Sequence, residues 1–187
     1  IATTGTSSDF GECVEGGRKD NCFSNSTRGF TCGGNNRIDS PSPNTSHDRI
    51  EMTIIQTKGS TVDFGEFGPD NALTGALNCH GGAASQTRGI IFSGSSSPSL
   101  RNVIEFLTLS TFGNSQDFGD MLTSGTSSGS TATGNNVKGV VKTTSANDGN
   151  VLEQVTIAST GNATDFGDLN TGRRSYGALC DSHGGLG

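Results

Sequence analysis

Three stretches of this chain share one hydrophobic pattern: Arg49-Ile50-Glu51-Met52-Thr53-Ile54-Ile55, Val103-Ile104-Glu105-Phe106-Leu107-Thr108-Leu109 and Val151-Leu152-Glu153-Gln154-Val155-Thr156-Ile157. Branched apolar residues mixed with Glu and Thr over such short runs predict a β-strand in each. A Thr/Ser-rich turn closing on glycine follows every one. Ile1-Ala2-Thr3-Thr4-Gly5 matches the end of the same strand, so the chain opens inside a unit. A second pattern occurs in Thr27-Arg28-Gly29-Phe30-Thr31-Cys32-Gly33-Gly34 and Thr87-Arg88-Gly89-Ile90-Ile91-Phe92-Ser93-Gly94, with Val137-Lys138-Gly139-Val140-Val141-Lys142 as a weaker third copy. These read as apolar strands introduced by a basic residue and a glycine. Gly75-Ala76-Leu77-Asn78-Cys79 recurs as Gly177-Ala178-Leu179-Cys180. Each unit therefore offers about four short strands in roughly 50 residues, the stoichiometry of a propeller blade.

A sharper phrase marks the units. Asp9-Phe10-Gly11, Asp63-Phe64-Gly65, Asp117-Phe118-Gly119 and Asp165-Phe166-Gly167 lie 54, 54 and 48 residues apart. Each is followed by an acid (Glu12, Glu66, Asp120, Asp168) and preceded, four residues before its Asp, by a glycine (Gly5, Gly59, Gly113, Gly161). A period of that size is the mark of stacked repeats. The units run roughly over 1–52, 53–107 and 108–155, with a partial fourth over 156–187. The stretch Thr123 to Gly134 is low in complexity and lacks a large apolar residue. Because the period survives on both sides, a strand or tight loop is expected there.

In each phrase the Phe is expected to be buried between units, the Asp to bond turn amides, and the Gly to supply a positive φ. Protein kinases carry Asp-Phe-Gly as a metal-binding phrase, but once and among other catalytic signatures. Here it stands four times without them. The repeats resemble kelch-like repeats. They are more closely similar to a group of phage and marine metagenomic structural repeats reading Thr-Ile-Ala-x-Thr-Gly-Asn-Ala-Thr-Asp-Phe-Gly-Asp-Leu, nearly the sequence from Thr156 to Leu169. The arginine that follows the phrase in that group fits Arg173 or Arg174, and its next strand fits Thr27 to Gly34. The resemblance covers the chain in patches, strongest over 151–180 and weakest over 121–142. It implies an all-β fold of tandem four-stranded, propeller-like (kelch-like) blades, left open-ended, with a β-sandwich or β-solenoid as the alternatives. Kelch blades usually carry a tryptophan, which is absent here; Phe10, Phe64, Phe118 and Phe166 would take its place.

Composition narrows the function classes. Only 29% of the 187 residues are apolar and 29 residues are glycine, so thin layers rather than a thick core are expected. The net charge is −6 with no basic cluster, which disfavours nucleic acid. No apolar run approaches the roughly 20 residues of a membrane-spanning helix. With no initiator Met and no signal-peptide pattern, the sequence reads as a processed product or part of something longer.

Candidate chemistry is sparse. Glu51, Glu105 and Glu153 recur, and are expected to face solvent or to pair with Arg28, Arg88 and Lys138 rather than to act as catalytic carboxylates. No serine sits in a nucleophile elbow, and His47, His80 and His183 lack an obvious partner arrangement. No calcium loop is present, and Cys79-His80 and the Cys180/His183 pair lack zinc-site spacing, so no metal and no cofactor is expected. Among five cysteines, Cys13, Cys22 and Cys32 crowd the first unit. They are candidates for one disulfide, Cys13 with Cys22 or with Cys32, in an oxidising compartment; otherwise they are small buried hydrophobes. Three sequons offer N-glycosylation at Asn25, Asn44 and Asn162, the last inside the repeat signature and equally a turn residue.

The functional expectation is a non-enzymatic structural subunit of an extracellular or virion assembly, polymerising with copies of itself through repeat-to-repeat contacts. The alternative is a propeller-type module binding a surface glycan or protein. A single tyrosine, Tyr176, and no tryptophan argue against that alternative, since sugars stack on exposed aromatic faces.

Overall fold

The computed structural model describes residues 5–14, 21–36, 45–46, 48–67, 77–78, 81–92, 95–96, 99–123, 131–143, 149–172 and 177–179. These contain strands and turns and no helix. Twelve strands form three antiparallel four-stranded sheets, each with its strands side by side in chain order. Sheet I holds β1 (Asn21–Ser24), β2 (Arg28–Cys32), β3 (Arg49–Ile54) and β4 (Val62–Glu66). Sheet II holds β5 (Gly81–Ala84), β6 (Arg88–Phe92), β7 (Val103–Thr108) and β8 (Gln116–Asp120). Sheet III holds β9 (Ala132–Gly134), β10 (Lys138–Lys142), β11 (Val151–Thr156) and β12 (Thr164–Asp168). Shorter pairings join Asn35–Asn36 to Thr45–Ser46, and Ser95–Ser96 to both Leu77–Asn78 and Ser99–Leu100.

All-β character and the repeated four-stranded sheet are thus as the patterns indicate. Both apolar patterns become the central strands of each sheet, and the Asp-Phe-Gly phrase becomes its outer strand in the last three copies. The first copy, in 5–14, forms no strand. Unit boundaries near 52, 107 and 155 fall inside β3, β7 and β11, so each sheet straddles two signature-to-signature units. Among the described residues no ladder links sheet III to sheet I, and the three sheets do not close on one another.

One irregularity recurs in all three sheets. Ile50 pairs Gly65 while Glu51 pairs Asp63, leaving Phe64 as the extra residue of a β-bulge. Phe118 and Phe166 are left over in the same way between Ile104/Glu105 and Leu152/Glu153. A bulge re-aims the side chain it carries, and in sheets I and II it aims a phenylalanine at the neighbouring sheet.

The sheets stack face to face around two apolar layers. Between I and II lie Phe23, Phe30, Ile50, Met52, Phe64 and Phe67 from one side, and Ala84, Ile91, Leu107 and Leu109 from the other. Between II and III lie Ala83, Ile90, Phe92, Ile104, Phe118 and Met121 against Val141, Val155, Ile157 and Ala163. Sheet II is covered on both faces, which is why Gly89 to Phe92 in β6 is one buried run instead of an alternation. Glycine lets the layers approach: a Cβ on Gly82 would press on the Phe23 ring and the Asn21 amide. The stack therefore needs few large side chains, in keeping with an apolar fraction of 29%.

Candidate functional site: the repeated joint between units

The same set of contacts joins the first three Asp-Phe-Gly segments to the glycine segment of the next unit. Gly59 donates its N–H to the Phe10 carbonyl at 2.9 Å and Thr61 to Glu12 at 2.8 Å. Gly113 donates to Phe64 at 2.9 Å and Ser115 to Glu66 at 3.0 Å. Gly161 donates to Phe118 at 2.7 Å and Ala163 to Asp120 at 2.8 Å. The reverse bond uses a side chain. The N–H of Glu12 donates to Ser60 Oγ (3.2 Å), that of Glu66 to Asn114 Oδ1 (3.1 Å), and that of Asp120 to Asn162 Oδ1 (3.1 Å). Three hydrogen bonds per joint, at about 1 kcal/mol each, hold neighbouring units in one register.

The signature glycine makes room for this approach. Gly119 adopts a φ of +144°, and a Cβ built on it would lie 2.6 Å from the Gly161 carbonyl. At Gly11 and Gly65 a Cβ would likewise fall on the carbonyls of Gly59 and Gly113. The glycine is therefore required by the partner's backbone as well as by its own φ. At Gly167, which has no following unit among the described residues, a Cβ would meet nothing within 4 Å.

The recurring glutamates do not face solvent, and they are not held by the recurring bases. Glu51, Glu105 and Glu153 are fully buried. Glu51 Oε2 accepts the Thr61 hydroxyl at 2.6 Å and the Val14 N–H at 3.1 Å. Glu105 Oε2 accepts the Ser115 hydroxyl. Glu153 accepts the N–H of Leu122 (2.8 Å) and Thr123 (3.1 Å) and the Thr143 hydroxyl (3.1 Å). A buried carboxylate is tolerable only when so bonded. Glu51 and Glu153 thus clamp the chain that follows the preceding Asp-Phe-Gly. This overturns the solvent-facing expectation. Glu51 stands opposite Thr31 rather than Arg28, so the register itself keeps the acid from the base.

The bases instead cross to the next sheet. Arg28 Nη1 donates to the Leu109 carbonyl, and Arg88 Nη1 to the Ile157 carbonyl at 3.1 Å. The Arg88 guanidinium also lies 4.3 Å from the centre of the Phe106 ring. Lys138, at the corresponding position of sheet III, bonds Gln154 of its own sheet at 2.7 Å.

The remaining signature residues divide. Phe64 and Phe118 are 3% and 2% exposed, whereas Phe10 and Phe166 are 42% and 53% exposed. Burial of all four is therefore corrected: only the two copies with a sheet on either side are enclosed. Phe64 packs edge-on to Phe30 and against Phe112 of the next unit, at 5.1 Å in both cases. Asp9 and Asp165 accept the N–H of Gly11 and Gly167 at 3.1 Å, while Asp63 lies 3.6 Å from Arg49.

Asn25 is buried, and its Nδ2, the atom a glycan would occupy, donates to the Gln86 carbonyl at 3.0 Å. Its Oδ1 closes the β1–β2 turn by accepting the N–H of Thr27 and Arg28. A glycan at Asn25 would crowd the contact of Nδ2 with Gln86. Asn162 is exposed, with Oδ1 committed to the joint. Asn44, Cys79, Cys180, Arg173, Arg174, Tyr176 and the three histidines lie outside the described residues.

Cys22 stands opposite Thr31, and Cys32 opposite Asn21. Since directly opposed residues share a face, Cys22 and Cys32 point to opposite sides of sheet I and cannot be bridged. Cys13 and Cys22 are both exposed thiols. Desolvation of its sulfur, and then the neighbouring Cys13, push the Cys22 thiol above its ordinary range.

The joint polar residue Ser60, Asn114 or Asn162 (with Thr6 at the same offset in 5–14) is a functional position that the sequence reading passed over. Its signal is present, a side-chain acceptor one residue after every recurring glycine, but it looks like ordinary turn chemistry. Apart from the joint, the molecule has a groove of about 380 Å³ across β1, β5 and β9, lined by small residues together with Phe23, Phe30 and Leu179. No group of three His, Cys, Asp or Glu among the described residues is placed to hold a metal, and no helix there is long and apolar enough to cross a membrane. No known family model matches the sequence, and the curated proteins searched contain no match.

Proposed function

We propose that this chain is a non-enzymatic structural subunit of an extracellular or virion assembly, built from kelch-like, propeller-like blades that extend by repeat-to-repeat contacts. The observation that carries the reading is the joint: one set of backbone bonds, one glycine and one polar side chain, used three times in succession. A contact that stacks units within a chain can also stack units between chains. Heterologous contacts of that kind give rings or filaments. Electron microscopy of the native material tests this; long regular filaments or appendages are expected, and only discrete particles would sink it.

The second reading is a binding module for a surface glycan or protein, favoured by the groove across the three inner strands. Its small-residue lining and exposed Leu179 suit an extended chain better than a stacked sugar ring. Saturable binding on a glycan array, abolished by Ala132→Trp in the groove, would move the assignment to this reading.

A further inference from the structure

We infer that the outer edge of β12 is an unfilled copy of the internal joint, and that its occupant is Gly5-Thr6-Ser7 of a second copy of this chain. The inference rests on the structural-subunit reading and specifies its contact. The edge offers the same groups as the three filled joints: Phe166 and Asp168 occupy the positions whose carbonyls accept at Phe10/Glu12, Phe64/Glu66 and Phe118/Asp120. Phe166 is 53% exposed, where its covered counterparts Phe64 and Phe118 are 3% and 2%. Among the described residues nothing lies within 4 Å of where a Gly167 Cβ would be, whereas in every filled joint a glycine carbonyl lies there.

The entering segment matches as well. Gly5 lies four residues before Asp9, as Gly59, Gly113 and Gly161 lie before their Asp. Thr6 supplies the hydroxyl that Ser60 supplies to the Glu12 N–H, and Ser7 supplies the N–H that Thr61, Ser115 and Ala163 supply. Residues 5–14 are exposed throughout. The contact is head to tail, joining two different surfaces, so it does not close as a two-fold dimer.

Two variants test it. Gly167→Ala places a methyl where the incoming glycine carbonyl must sit, and Ser7→Pro removes the N–H destined for Asp168. Each leaves one end intact. Sedimentation velocity of the full chain across a concentration series, with thermal melts as folding controls, should show wild type assembling. Either variant alone should remain monomeric up to at least ~100-fold higher concentration, because a blocked joint loses its bonds together. An equimolar mixture of the two should give heterodimers and nothing larger. If Gly167→Ala fails its melt, Phe166→Glu blocks the same edge. Both variants assembling like wild type would overturn the joint while leaving the structural-subunit reading standing. A wild-type chain monomeric at every concentration would overturn both. An Asp168 amide protected from hydrogen exchange equally at all concentrations would overturn the joint alone, because another part of the same chain would then cover the edge.

Discussion

Phe118 and Phe166 stand in nearly the same sequence, Asp-Phe-Gly-Asp, at the same bulge of the same kind of sheet, yet one is 2% exposed and the other 53%. The difference is the neighbour. Phe118 meets Ala163 and Ile157 of sheet III in one apolar layer, while Phe166 has no further sheet over it among the described residues. The motif therefore encodes a surface to be covered, and coverage depends on what stacks next. The N-terminal copy teaches the same from the other side: Phe10, 42% exposed, donates its joint to sheet I without a strand of its own.

The largest expected effect follows from that contrast. Phe118→Ala should cost about 4 kcal/mol in denaturant unfolding of the monomeric chain, the range for emptying a buried aromatic site. Phe166→Ala should stay within about 0.5 kcal/mol, as for other exposed positions. Equal losses would mean that Phe166 is covered in solution and would remove the distinction between interior and end.

The glutamates sharpen it next. Glu153→Ala strands the N–H groups of Leu122 and Thr123 and the Thr143 hydroxyl. A loss of about 2 kcal/mol is expected in global unfolding, since three bonds go to one carboxylate and the Thr143 hydroxyl stays buried without it. Glu51→Ala removes one of the two acceptors of the Val14 N–H, leaving Thr61 Oγ1 at 2.9 Å, and the acceptor that holds the Thr61 hydroxyl in place. Its first effect should be local: faster hydrogen exchange at Val14, as the exposed 5–14 segment lifts before sheet I opens. Protection at Val14 unchanged by Glu51→Ala would show that the N-terminal joint holds without its clamp.

Much of this architecture is legible in the sequence because strand patterns are local. Arg49 to Ile55 and Val103 to Leu109 alternate and branch like strands and become β3 and β7. The signature glycines, too, could be read as conformational necessities. The misread residues are those whose role depends on another unit. Glu51 looks solvent-facing beside Arg49 until the register sets it opposite Thr31 and the chain at Val14 closes over it. Asn25 reads as a sequon, and only the approach of Gln86 shows its amide to be occupied. Ser60, Asn114 and Asn162 pass for turn residues because their partner lies 42 to 48 residues away. A period reveals that units stack; which side chains meet at the joint is set by the offset between sheets, and no local pattern records it.

The smallest contrast concerns the bases. Arg88 reaches across to the Ile157 carbonyl and lies over Phe106, so it ties sheet II to sheet III and covers an aromatic face. Lys138, its counterpart one sheet on, bonds only within sheet III to Gln154 in the described structure. Arg88→Ala should therefore cost about 1.5 kcal/mol, a hydrogen bond plus a partly exposed cation–π contact. Arg88→Lys should recover only part of that loss, because an ammonium lacks the planar fork that bonds a carbonyl and stacks on a ring together. Lys138→Ala should leave the unfolding midpoint unchanged in the monomer. If the head of a second chain docks beyond β12, the same substitution will shift the assembly midpoint instead, and a Lys138 effect on monomer stability would erase the contrast between interior and end.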